Sequence, residues 1–94
     1  MYAQKTTIIN RTGLHARPAN LFVMAAKNFK SDIQMHKFNE KGENVKSCPA
    51  KSIVSVLTMQ LTKGTHIEIV AEGQDETQAV DTLVALIESG FDDL

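Results

Sequence analysis

The residues best suited to chemistry lie together in one short segment, Gly13 to Ala19. It reads Gly-Leu-His-Ala-Arg-Pro-Ala, so His15 and Arg17 stand two positions apart, directly before a proline. An imidazole titrates near neutral pH, which leaves one ring nitrogen available as a nucleophile. A guanidinium presents a planar fork of donors that matches the oxygens of a phosphate group. The pair therefore predicts a site at which His15 accepts a phosphoryl group and Arg17 stabilises its charge.

A helix is predicted to begin just after His15. From Ala16 to Lys27 the apolar residues recur at three- and four-residue spacings, the period of an amphipathic helix. Pro18 falls in the first turn, where a missing N–H costs nothing. The free N–H groups and the dipole at this end favour negative charge. A phosphate on the ring would be stabilised there, and its reactive bond to nitrogen would allow it to be passed on.

An ordinary structural reading of these two side chains also stays open. A histidine in front of a helix is often a cap or a solvated residue, and an arginine two positions later often pairs with a nearby carboxylate. On helix position alone, this reading is the more frequent one.

The other elements that must position this segment follow from periodicity and turn residues. Strands are predicted at residues 2–9, 32–38, 44–48 and 66–71, with turns at Asn39–Gly42 and Lys63–Thr65. Ser52 is predicted to cap a short second helix, and a third begins at a capping box of Asp75 with Gln78 and ends at Gly90. The order βαββαβα predicts an α+β fold, a two-layer open-faced sandwich in which three helices cover one face of a four-stranded antiparallel sheet.

Length and composition limit the remaining classes of function. Ninety-four residues are enough for one domain, which we assign to residues 1–94. No apolar run is long enough to span a bilayer and no secretory signal is recognisable, so we expect a cytoplasmic protein that does not insert into membranes. A net charge of −1 and an aromatic fraction of 5% disfavour nucleic-acid binding.

The remaining side chains that could bind a metal ion do not predict a metal site. His36 and His66 lie on the polar sides of predicted strands, without the spacing of zinc ligands. Cys48 is the only cysteine, so the chain cannot form an internal disulfide, and we interpret it as an inert thiol. Asp92 and Asp93 near the carboxy terminus are interpreted as a solvated tail. We expect neither a metal nor a cofactor.

The whole chain resembles the HPr family, the phosphocarriers of the phosphoenolpyruvate-dependent sugar phosphotransferase system. The strings that carry this resemblance, in the family's order, are Gly13–Ala19 residue for residue, Ala50–Ile53, Leu61–Thr65, and Ala71–Glu76 with Ala79–Val80. The resemblance implies that His15 accepts phosphate from enzyme I on its pros nitrogen, Nδ1, and donates it to sugar-specific IIA proteins. Arg17 would stabilise the group during both transfers. The chain would then be a carrier and not a turnover enzyme.

The resemblance also gives Ser52 a regulatory role beside its role as a cap. It matches the serine that a bifunctional HPr kinase/phosphorylase modifies in many Gram-positive bacteria, which produces a signal for a catabolite-control transcription factor. A phosphate at this helix end would be tolerated by the dipole and would add negative charge beside the partner-binding surface. We expect such a change to block partners without unfolding the chain.

A partner-binding surface is predicted around the short second helix. Ile53, Val54 and Leu57 cannot all point inward from so short an element, so some apolar surface is expected near His15. The other predicted members of this surface are Ala16, Arg17, Asn20 and Lys51. The alternative is that the apolar residues of this helix are buried in the core, which applies above all to Ile53 and Val56.

Two departures from the family pattern bear on partners. The segment Lys37–Pro49 is longer than is typical, which predicts an enlarged or bulged second hairpin, and Asn20 and Met24 replace more usual residues.

Two alternative functions stay open. One is a nitrogen-type phosphocarrier, which relays phosphate to regulators. The other is a regulatory HPr-like module that binds transcriptional regulators, although the presence of His15 with Arg17 weighs against it.

Overall fold

The computed structural model describes residues 1–94 and contains four strands and three α-helices. In chain order the elements are β1 (Tyr2–Thr7), α1 (Ala16–Lys27), β2 (Asp32–Phe38), β3 (Asn44–Pro49), α2 (Ile53–Thr58), β4 (His66–Glu72) and α3 (Glu76–Ser89). A 3₁₀ turn at Gly90–Asp92 follows α3 directly. The predicted order βαββαβα is confirmed. No helix is both long enough and apolar enough to cross a membrane.

The four strands form one antiparallel sheet in the order β1-β4-β2-β3. The three helices cover one face: α3 packs on β1 and β4, α2 lies against β3, and α1 contacts both other helices. Strand β4 shows why one face is covered, because Ile67, Ile69 and Ala71 are fully buried while His66 is exposed. The predicted two-layer α+β sandwich is confirmed.

The core lies between the helices and the covered face of the sheet. Its largest fully buried side chains include Phe22 from α1, Met35 from β2, and Leu83 and Ile87 from α3. The apolar stripe predicted for α1 is therefore the face that holds this helix on the sheet. Because the stripe is buried, the opposite side and the first turn of α1 remain at the surface.

The second hairpin is bulged, as its length predicted. The pairing of β2 with β3 shifts register between Lys37 and Phe38. Asn39 closes the turn, since its Oδ1 accepts hydrogen bonds from the N–H groups of Lys41 (2.9 Å) and Glu43 (3.0 Å). Strand β3 is an edge strand, which is where the missing N–H of a proline is tolerated.

The capping box predicted for Asp75 and Gln78 is wrong. Asp75 does precede α3, but its side chain makes no capping bond to that helix. Its carboxylate accepts the N–H groups of Lys30 and Ser31, both at 2.9 Å, and the Ser31 hydroxyl. These donors satisfy both carboxylate oxygens better than a single helix amide can. Asp75 therefore fastens the start of α3 to the segment that leads into β2.

This arrangement predicts a loss of stability in acid. The Ser31 hydroxyl and the Lys30 amide lower the pKa of Asp75 from 3.8 to about 2. A carboxylate whose pKa is lowered by folding stabilises the fold above its ordinary pKa, and this contribution is lost as the pH falls towards the folded value. Asp75→Asn should therefore lower the free energy of unfolding at pH 7, and its difference from the wild type should shrink as the pH falls from 5 to about 2.

Urea unfolding at a series of pH values measures this effect. Asp32→Asn is the matched control, because Asp32 is exposed and lies at the start of β2. A difference between Asp75→Asn and wild type that stays constant across the acid range would contradict the assignment.

Candidate functional site

The loop between β1 and α1 sets the direction in which the chain enters the helix. The Asn10 side chain is fully buried, and its Nδ2 donates to the carbonyl oxygen of Gly13 at 2.7 Å. The N–H of Leu14 donates to the carbonyl oxygen of Leu61 at 2.9 Å. Gly13 has a φ of +70°, and a Cβ there would lie 2.2 Å from the Leu61 oxygen. Only glycine fits this close approach, two residues before His15.

Gly13→Ala should therefore lower the free energy of unfolding much more than the same substitution at a glycine with empty space around it. Gly42 has a φ of +80°, and a Cβ added there would meet no atom within 4 Å, so Gly42→Ala carries only the left-handed penalty of about 1–2 kcal/mol. Gly13→Ala must in addition displace the backbone at Leu61. Urea unfolding of the two variants measures the difference, and equal losses of stability would contradict the close packing of Gly13.

His15 is the residue directly before α1, in an extended conformation (φ −136°, ψ 150°). Its side chain is exposed and makes no capping bond to the helix. The first turn of α1 contains no acidic residue, so the partial positive charge of that helix end is not offset within the helix. The imidazole is thus free of an intramolecular partner at a place that favours an anion.

The residue after His15 holds its backbone in an uncommon conformation. Ala16 has a φ of +49°, in the left-handed region. For a residue with a Cβ, such a conformation costs on the order of 1–3 kcal/mol and persists only where the surroundings impose it. Nothing in the local sequence signals this feature, because alanine is among the best helix formers.

Arg17 is also exposed and free. The ion pairs of the chain join the amino terminus to Glu76 and Arg11 to Asp93, and neither involves Arg17. Two parts of the ordinary structural reading are therefore wrong, because His15 makes no capping bond and Arg17 forms no ion pair with a carboxylate. The third part, a solvated histidine, agrees with the exposure of His15. Both side chains line one cleft of about 300 Å³.

The far wall of this cleft comes from the carboxy terminus, which the sequence interpretation missed. Phe91, Asp92 and Asp93 line it opposite His15 and Arg17. Asp93 is not part of a solvated tail, because its carboxylate accepts hydrogen bonds from Thr12 and Asn10. These bonds, with the Thr12 hydroxyl the largest contributor, hold the pKa of Asp93 below its ordinary value.

A second cleft, of about 580 Å³, lies on the other side of His15 and reaches Leu57 of α2. Val54 is 67% exposed and Leu57 40% exposed, while Ile53 is half-buried. Val56 is fully buried, so the core alternative holds for Val56. The stripe of α2 is thus divided between core and surface, and Leu57 of its exposed part lines the cleft beside His15. Ala16 and Asn20 are also exposed.

Lys51 lies elsewhere. Its ammonium group donates to the carbonyl oxygen of Phe29 at 2.7 Å, just beyond the carboxy-terminal end of α1. Arg17 lies in the first turn of the same helix, roughly 18 Å away at 1.5 Å per residue. That Lys51 belongs to the partner-binding surface stays a prediction, but its ammonium group is engaged at the opposite end of α1 from Arg17. The reason is that free carbonyl groups at a helix end attract a nearby cation.

Ser52 is the cap of α2, as predicted. Its Oγ accepts the N–H of Ser55 at 3.3 Å, and its own backbone is extended. The side chain is half-buried.

The other histidines and the cysteine lie away from this site. Nδ1 of His36 is 2.6 Å from Ser47 Oγ, and Nδ1 of His66 is 2.9 Å from Thr7 Oγ1. No three histidine, cysteine or acidic side chains are grouped closely enough to hold a metal ion. Cys48 is buried, and burial raises the pKa of its thiol.

Comparison with known proteins decides the family. A family model described as the PTS HPr component phosphorylation site matches residues 2–89, which include His15, Arg17 and Ser52. The chain belongs to the HPr family. It is accordingly a phosphocarrier of the phosphotransferase system, and the resemblance seen in the sequence is confirmed.

Individual relatives of this HPr-family chain cover nearly its whole length. Phosphocarrier protein HPr of Haemophilus influenzae is 46% identical over 87 residues, which are 93% of this chain and 95% of the relative. Phosphocarrier protein NPr of Proteus mirabilis is 37% identical over 96% of this chain and 94% of its own length. The crystal structure of HPr-C-His from Thermoanaerobacter tengcongensis is similar with a TM-score of 0.88 and 39% identity, covering 100% of this chain and 99% of that one.

Proposed function

We propose that this chain carries a phosphoryl group on His15, which it accepts from phospho-enzyme I and donates to sugar-specific IIA proteins. The observation that supports this most directly is an exposed imidazole without a partner at the start of α1, two residues before an unpaired arginine, in a chain of the HPr family. The same proposal places the protein in the cytoplasm.

The chemistry follows from the position of the ring. In the acceptor step the Nδ1 lone pair of His15 forms a bond to phosphorus while the bond from phosphorus to the donor breaks. The transferred group carries negative charge on its three outer oxygens. The first turn of α1 and the Arg17 guanidinium lie where they can stabilise that charge. Donation to a IIA protein reverses these events, so the same groups serve both directions.

Partners would bind across one surface, which we call the docking face: Ala16, Arg17, Asn20, Ile53, Val54 and Leu57. Its support is the exposed apolar surface of Val54 and Leu57 on α2, of which Leu57 lines the cleft that contains His15. An apolar centre with Arg17 at its border suits short-lived binding to several partners in turn.

The test is uptake of phosphate from phosphoenolpyruvate in the presence of enzyme I, followed by transfer to IIA proteins. A phosphate on a histidine is labile in acid, which distinguishes it from a phosphoserine. We expect one acid-labile phosphate per chain, which disappears when a sugar-specific IIA protein is added. A chain that takes up no phosphate from any enzyme I would instead be a regulatory HPr-like module.

A nitrogen-type phosphocarrier is the second candidate, and the 37% identity to NPr of Proteus mirabilis favours keeping it. Parallel assays with enzyme I and IIA proteins from the sugar branch and from the nitrogen branch separate the two. Faster exchange with the sugar-branch proteins supports our proposal, and faster exchange with the nitrogen-branch proteins supports the alternative.

We also propose that Ser52 is a regulatory site for an HPr kinase/phosphorylase, whose product is recognised by a catabolite-control transcription factor. A phosphate on Ser52 would add about two negative charges at the start of α2, next to Ile53 of the docking face. The helix dipole would tolerate this charge, so the fold should survive while binding of the partners weakens.

Two substitutions at Ser52 separate its roles. Ser52→Ala removes the cap and should lower the free energy of unfolding by about 1 kcal/mol while phosphate uptake by His15 is unchanged. Ser52→Asp keeps an oxygen at the cap and should slow uptake from enzyme I. Thr77→Asp is the control, because Thr77 is an exposed first-turn residue of α3. Equal rates for Ser52→Asp and Thr77→Asp would contradict a regulatory effect at the docking face.

A further inference from the structure

We propose that Asp93 is a positioning residue for phosphoryl transfer, because it clamps the loop that delivers His15 to the start of α1. The inference rests on the proposed role of His15 as the phosphoryl acceptor. It concerns a residue that lines the cleft beside His15 but whose side chain bonds to neither His15 nor the docking face, and that acts through the loop residues Asn10 to Thr12.

Asp93 bonds to three consecutive residues of that loop. Its Oδ2 accepts the Thr12 N–H at 3.0 Å, the Thr12 hydroxyl at 2.5 Å and the Asn10 side-chain amide at 3.3 Å. Its backbone carbonyl oxygen accepts the Arg11 N–H at 2.7 Å, and its Oδ1 is 3.7 Å from the Arg11 guanidinium. No other side chain of the molecule binds all three loop residues.

The carboxy terminus is shaped to bring Asp93 to the loop. Helix α3 ends at Gly90 in the left-handed conformation, and Phe91 and Asp92 continue there with φ values of 54° and 57°. Two consecutive non-glycine residues in this region are strained, so contacts must hold them there. Those contacts are the burial of the Phe91 side chain, which is 4% exposed, and the bond from the Asp93 N–H to the Gly90 carbonyl oxygen at 2.8 Å.

The clamp continues through the loop towards the histidine. Nδ2 of the buried Asn10 donates both to Asp93 and to the carbonyl oxygen of Gly13. Gly13 is in turn pressed against the Leu61 carbonyl group on the opposite side. The backbone from residue 10 to residue 14 is therefore held from two sides. Loss of the Asp93 side chain removes both bonds to the exposed Thr12, whereas the Arg11 N–H keeps its bond to the Asp93 backbone carbonyl oxygen.

This arrangement predicts a specific kinetic pattern. Small errors in the placement of a reacting group slow the chemical step strongly, whereas docking depends on Val54, Leu57 and their neighbours. Asp93→Ala should thus lower kcat for phosphorylation by enzyme I about tenfold and leave the KM for the carrier unchanged. NMR relaxation should show that the backbone amide groups of Thr12 and His15 are more mobile in the unphosphorylated variant than in the wild type.

Asp92→Asn is the matched control. Asp92 is the adjacent carboxylate, lines the same cleft and is exposed, and asparagine tolerates its left-handed conformation, so the substitution changes the local charge equally but leaves the clamp in place. It should behave like wild type. Asp93→Glu retains the carboxylate and should restore part of the rate. All assays are run well below the melting temperature of each variant, which circular dichroism establishes.

Three results would overturn the proposal. One is a lower melting temperature for Asp93→Ala with unchanged kcat, which indicates a purely structural residue. Another is an equal loss of kcat in Asp92→Asn, which assigns the effect to charge in the cleft. The third is an unchanged mobility of Thr12 and His15. If the wild type itself takes up no phosphate, the proposed function fails, and the mobility measurement alone then decides whether the clamp exists.

Discussion

Replacing His15 with alanine should abolish phosphate uptake from phosphoenolpyruvate and enzyme I, and leave the free energy of unfolding within about 0.5 kcal/mol of the wild type. The side chain is exposed and makes no capping bond, so the fold does not depend on it. The proposed chemistry depends on it completely, because neither of the other two imidazoles lies at the start of α1. Intact mass after the reaction and urea unfolding of the same sample measure the two effects together.

The matched controls are His36→Ala and His66→Ala. Both rings are on the sheet, away from α1, and each is bonded to a hydroxyl group. These variants should take up phosphate at the wild-type rate. Phosphate uptake that survives in His15→Ala, or that is lost in His36→Ala, would assign the reaction to a different residue.

Replacing Arg17 with alanine should slow phosphoryl transfer by about 10²–10³-fold, the usual effect of removing one group that stabilises charge in a transition state. Arg17 makes no ion pair, so no existing contact must be broken before it reaches the transferred oxygens. Arg17→Lys should recover only part of the rate, because an ammonium group lacks the planar pair of donors that a guanidinium presents.

Lys27→Ala controls for the change in net charge. Lys27 is an exposed cation in the last turn of the same helix, far from His15. Its removal should leave the rate of transfer close to that of the wild type. Equal rates for Arg17→Ala and Lys27→Ala would show that Arg17 contributes only to the overall charge of the helix.

Much of the fold could be predicted from the sequence because its main signals are local. In β4 buried and less buried residues alternate, and in α1 the buried residues form one apolar stripe, because in each element the apolar side chains face the core. The bounds of α1 agree with the prediction at both ends. The wrong prediction for Asp75 shows the limit of local patterns. A capping box joins residues three apart, whereas the bonds of Asp75 reach Ser31, 44 residues away.

The site was predicted as far as motif and resemblance reach, and no further. His15 and Arg17 stand in one recognisable string. The left-handed backbone at Ala16 and the left-handed turn at Phe91 were not predictable, because alanine and phenylalanine are not residue types that favour a positive φ. The role of Asp93 depends on that turn, so the sequence suggested only a solvated tail. The bond of Lys51 to the far end of α1 was missed for a similar reason, because it depends on how far a long side chain reaches in the folded chain.

Phosphorus NMR of the ¹⁵N-labelled chain, phosphorylated by phosphoenolpyruvate and enzyme I, locates the phosphate at the level of single atoms. We expect one phosphorus resonance, coupled to Nδ1 of His15 and lost on acidification, with the rings of His36 and His66 unmodified. A phosphate on any other side chain, or none under conditions that fully phosphorylate a known HPr, would contradict the assignment of His15 as the acceptor.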